Sequence, residues 1–225
     1  REKTSEAFYT EITRTTDNIL AINSKILEPK HYLSLLNEED HRITVAKKIP
    51  LAFTYRGEFR CRGSYLLKSE HLYFTQNGDY TIYSWDNNRI KPVVTVDFGK
   101  YSYNPTQLNE EPHAPATRNK VLSIINVKEI RSNLFFNTNK IGLFVYNKTR
   151  HQIVHAYGIT NTNLGIVLHN SIATEDTHNE IVAFSYDMPI LQRKLAGIAS
   201  DNPVIKQIQN AKEDDNPLLF LYKSI

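Results

Sequence analysis

Four of the eight histidines in this chain, His151, His155, His169 and His178, fall within residues 140–187, and its single thiol, Cys61, lies between Arg60 and Arg62. Imidazole exchanges protons near neutral pH and ligates metals, and a thiolate is a strong nucleophile. The flanking guanidiniums would favour the thiolate form of Cys61. His151 and His155, four residues apart, share a face of a strand or a helix, and His169 would be the third ligand of a metal site. No carboxylate stands at the spacing of a known metal motif, and Gln152 occupies the place where a zincin carries Glu. The expectation is therefore no metal and no organic cofactor.

Two short runs carry a further pattern: His155-Ala156-Tyr157-Gly158-Ile159, then Leu164-Gly165-Ile166-Val167-Leu168-His169-Asn170-Ser171. They resemble the papain-like cysteine hydrolases and acyltransferases, in which a catalytic histidine opens one strand as His-Ala and an Asn followed by Ser ends a neighbouring strand. The resemblance implies Cys61 as nucleophile, His155 as general base and Asn170 as the group that fixes the imidazole tautomer. The order Cys, His, Asn agrees with that family. Its Gly-Ser-Cys-Trp type of signature is absent, and no Gln lies a few residues before Cys61. A helix beginning near Ser64 and running to Phe74 would add its N-terminal dipole to the activation of the thiol. The implied activity is cleavage or transfer at protein or peptide amides, of the protease, deamidase or transglutaminase type. Each residue also has a purely structural reading: Cys61 as a buried thiol, His155 as a histidine on a half-buried strand, Asn170 as a turn residue.

A second run, Phe53-Thr54-Tyr55-Arg56-Gly57, resembles the Tyr-Arg-Gly strand with which many ADP-ribosyltransferases hold the phosphates of NAD. An arginine there grips phosphate oxygens with a planar fork. The Ser-Thr-Ser-like strand and Glu-x-Glu-like pair that those enzymes also need are not recognisable. A different class of function is a non-catalytic β-rich module that binds a partner protein. Its candidate surface is the aromatic series Tyr65, Tyr73, Tyr80, Tyr83, Trp85, Tyr101 and Tyr103, interleaved with Lys68, Arg89, Lys91 and Lys100. Aromatics in strands also serve as core or cross-strand pairs.

The elements that must position these groups follow from periodicity. Residues 140–187 hold four β-branched runs separated by polar turns, the pattern of an antiparallel meander. Its inward set is Leu143, Val145, Val154, Ile166, Leu168, Val182 and Phe184. Asn77-Gly78, between LYFTQ and DYTIYSW, predicts a two-residue hairpin turn, and Pro92–Phe98 a strand. Phe8, Ile12, Ile19, Ile22 and Ile26 predict an amphipathic helix over Thr4–Leu27, and Leu33 and Leu36 a second over Pro29–Asp40. Further helices are predicted over Lys120–Phe136, Pro189–Ala199 and from Asn202-Pro203 to Ala211, before a last strand, Leu218–Tyr222. The fold class expected is α+β: a central antiparallel sheet with N-terminal and C-terminal helices packed on it, in one domain of residues 1–225. The proline-bearing stretch 105–119 offers a sub-boundary.

Composition bounds the function. A chain of 225 residues, 40% hydrophobic and 23% charged, can bury a substantial core, and a net charge of +3 compels neither a nucleic-acid nor an anionic-membrane partner. One cysteine excludes an intrachain disulfide and any multi-thiolate metal site. No apolar run approaches the roughly 20 residues of a membrane helix. Nor do the first residues have the order of a signal peptide. The partner expected is a protein or peptide.

Overall fold

The computed structural model describes residues 9–14, 18–24, 31–37, 43–49, 66–68, 71–76, 79–86, 89–102, 119–140, 142–168, 172–176, 181–212 and 215–223. The chain forms two compact units, Arg1–Ile125 and Asn126–Ile225. In the first, strands β1 (Tyr9–Arg14), β2 (Asn18–Ser24), β3 (His31–Asn37) and β4 (Ile43–Ile49) pair antiparallel in sequence order. A second meander, β5 (Leu66–Lys68), β6 (Leu72–Gln76), β7 (Asp79–Asp86) and β8 (Arg89–Thr95), repeats that topology. Strand β1 runs beside β5 and β4 beside β8, and Phe74 of β6 packs with Leu35 of β3.

The expected helices over Thr4–Leu27 and Pro29–Asp40 are replaced by β1, β2 and β3. Isoleucines three, four and seven apart satisfy a helical stripe, but the β-branched side chain favours the pleated sheet, and Thr15-Thr16-Asp17-Asn18 interrupts the run with turn formers. The helix expected over Lys120–Phe136 gives way to β9 (Ile124–Ile130) and β10 (Asn133–Thr138), with Arg131 between them at φ 54°. Strands β6 and β7 pair as the expected hairpin, with Gln76 facing Asp79, and the turn residues Asn77 and Gly78 lie outside the described residues. Pro92 lies within β8 rather than at its start, where the register shift between Ile82 and Tyr83 and an edge position accommodate its missing N–H.

In the second unit, β9 and β10 are joined by β11 (Leu143–Asn147) and β12 (Gln152–Ala156) in a third four-stranded meander, ordered β12-β11-β10-β9. A hairpin of β13 (Ile159–Asn161) and β14 (Ile166–Leu168) follows, then a three-stranded sheet of β15 (Ile172–Asp176), β16 (Ile181–Tyr186) and β17 (Leu218–Lys223). Between β16 and β17 run α1 (Met188–Leu195) and α2 (Pro203–Asn210). Leu191 and Leu195 of α1 and Ile205 and Ile208 of α2 bury among Leu143, Ile166 and Tyr186. Asn202 caps α2, its Oδ1 accepting from Val204 N at 2.9 Å. Gln209 of α2 donates to Leu195 O at 2.9 Å and Gln192 of α1 to Ala211 O at 2.6 Å, so each helix satisfies terminal carbonyls of the other.

The expected central α+β sheet with helices at both ends is thus corrected: the fold is mostly β, in several antiparallel sheets, with two helices among the described residues. The 140–187 segment does form sequential antiparallel pairs, but they belong to three sheets. Of its expected inward set, Leu143 and Ile166 are buried and Val145 half-buried. Val154 is 61% exposed on β12, which is the edge strand of its sheet among the described residues. The side chains of Leu168, Val182 and Phe184, and most of 105–119, lie outside the described residues.

Two phenols sit where deprotonation is opposed. Tyr83 donates to Asp79 Oδ2 at 2.7 Å, and burial followed by that carboxylate pushes its hydroxyl up to about 12. Burial and the nearby Tyr222 raise Tyr186 further in the same direction, and no group among the described residues hydrogen-bonds its hydroxyl. An unfolded chain loses these protons near pH 10 while the folded chain keeps them, so stability falls as pH rises from about 10 to 12. Urea titrations across this range are expected to show that decline, and Tyr83→Phe is expected to make it shallower.

Candidate functional site

Only one member of the expected triad can be placed. His155 stands on β12 opposite Phe144 of β11, which in turn faces Phe136 of β10. Cross-strand register puts the three side chains on one face, and the rings stack: Phe136 on Phe144 at 5.3 Å and 8°, Phe144 on His155 at 4.4 Å and 12°. The column runs from a buried phenylalanine to an exposed imidazole. Gly142 closes it from the side. Gly142 has φ 133°, which favours glycine, and a Cβ there would meet the His155 ring at Nε2 and displace it. Asn137 fixes the same residue, donating to Gly142 O at 2.8 Å.

A general-base histidine needs its second ring nitrogen held by a fixed partner. Among the described residues no carboxylate or amide holds His155 in that way. Cys61, Asn170, the Tyr55-Arg56-Gly57 run, His169 and His178 lie outside the described residues. The helix expected over 64–74, which would have aided the Cys61 thiolate with its dipole, is replaced by β5 and β6. His151 sits in the β11–β12 turn at φ 52°, where its Nδ1 meets Tyr146 Oη at 3.0 Å. His151 and His155 are thus occupied by different residues of β11. No group of three metal-binding side chains occurs among the described residues.

The aromatic series is mainly structural where it is described. Tyr73 is buried, Tyr83 and Trp85 pack half-buried against Phe74, and Tyr80 meets Phe98 edge-on at 5.0 Å. Tyr101 remains exposed, with Lys100 Nζ 5.2 Å above its ring. Trp85, which sequence reasoning offered to a partner, serves a core.

Two features escaped that reasoning. Glu129 of β9 is 1% exposed and receives a hydrogen bond from Lys148 Nζ in the β11–β12 turn. No local spacing pairs residues 19 apart. The other is the chemistry of β12 itself, Gln-Ile-Val-His-Ala. It is the one sheet-edge strand of more than three residues, among those described, that contains no Lys, Arg, Asp, Glu or Pro. By contrast β4 carries Lys47 and Lys48, β8 carries Arg89, Lys91 and Pro92, and β17 carries Lys223. Charged residues and prolines on edges are what block unwanted strand addition. The uncharged alternation of β12 was legible; its place at an edge was not.

No family model and no curated protein matches this chain. Among solved structures it is similar to a Bacteroides fragilis protein described as exported, at 14% identity and a TM-score of 0.49, over 99% of this chain and 80% of that one. No helix of the described residues is long and apolar enough to cross a membrane.

Two measurements probe this geometry. Gly142→Ala is expected to cost about 1–3 kcal/mol. His155→Ala is expected to relieve part of that cost, giving a nonzero coupling in a double-mutant cycle read by urea unfolding. Lys148→Ala is expected to destabilise the fold by removing a cation from the buried Glu129 carboxylate, and Lys148→Ala with Glu129→Leu to cost less than Lys148→Ala alone.

Proposed function

We propose that this chain is a non-catalytic, β-rich protein-interaction module that takes an extended strand of its partner onto the open edge of β12. The observation that carries the reading is the bare edge: among the described residues β12 pairs with β11 alone, and Ile153, Val154 and His155 are exposed. An added strand would gain main-chain hydrogen bonds along that edge and side-chain selection from two alternating faces. Ile153 and His155 lie on one face and Gln152, Val154 and Ala156 on the other. The β11–β12 pairing and the ring column beneath His155 hold the edge in shape before a partner arrives, which lowers the ordering cost of binding.

The cysteine-hydrolase reading with Cys61, His155 and Asn170 is the alternative that the test must separate. Labelled extended peptides rich in Val, Ile and Thr are expected to bind the protein, measured by fluorescence anisotropy. N-methylation of alternate peptide residues is expected to abolish binding in one phase of the alternation and not the other, the signature of main-chain pairing. Val154→Lys is expected to weaken binding at least tenfold, while Cys61→Ala leaves it unchanged. Peptide cleavage or acyl transfer that disappears in Cys61→Ala would overturn the proposal in favour of the enzyme.

A further inference from the structure

We draw no further inference here: the strongest candidate, the exposed apolar face that Leu219 and Leu221 give to the edge strand β17, carries nothing because nothing in the structure shows what covers it.

Discussion

The constraint on which this structure depends is that every backbone N–H and C=O of a strand needs a partner, and the chain supplies that partner mainly from the strand next in sequence. Three times it runs four strands down and back through short connections, and each run gives a complete antiparallel meander. Local pairing of this kind has a low loop-closure cost, so each sheet forms without waiting for distant segments. It also has an unavoidable consequence: a meander always ends in an unpaired strand.

The second unit departs from this pattern once. Strand β17 returns to β16 only after two helices have intervened, so its register with Tyr186 opposite Leu218 is set across a long excursion. The helices make the detour stable by burying Leu191, Leu195, Ile205 and Ile208 in the same core that receives Leu218, Phe220 and Tyr222. Strand β17 thus alternates inward residues with the exposed Leu219 and Leu221. Tyr186 lies in the middle of that core, and an apolar environment without a hydrogen-bond acceptor is what pushes its hydroxyl toward the neutral form.

What could be read from the sequence was what depends on a few neighbouring residues. Asn77-Gly78, a dipeptide favoured in two-residue turns, marked the hairpin whose strands β6 and β7 pair. Asn202-Pro203 marked a helix start through a cap and a first-turn proline, and the final strand followed from Leu-Leu-Phe-Leu-Tyr. The N-terminal segment was misread because isoleucines at 12, 19 and 22 satisfy a helical stripe as well as a strand, and periodicity cannot separate the two when the runs are short. The meander repeat left no mark because its three copies share pairing order and not residues. For the site, the placement of His155 on a strand was legible, and its partners were not. Phe136 and Phe144 meet it through the register of three strands, information that no local window contains.

That register also changes what the histidine means. Read along the chain, His-Ala followed by a distant Asn resembles half of a catalytic triad; read across the sheet, the same ring is the outermost member of an aromatic column. A stacked ring at a sheet edge gains dispersion contact through its face while its ring edge remains available to a neighbouring strand. It needs no thiol to account for its position. Gly142 has the matching requirement, since it must lack a side chain for the ring to lie flat beside it. Among the described residues the other edge strands of more than three residues carry charge or proline, and β12, which ends the aromatic column, carries neither.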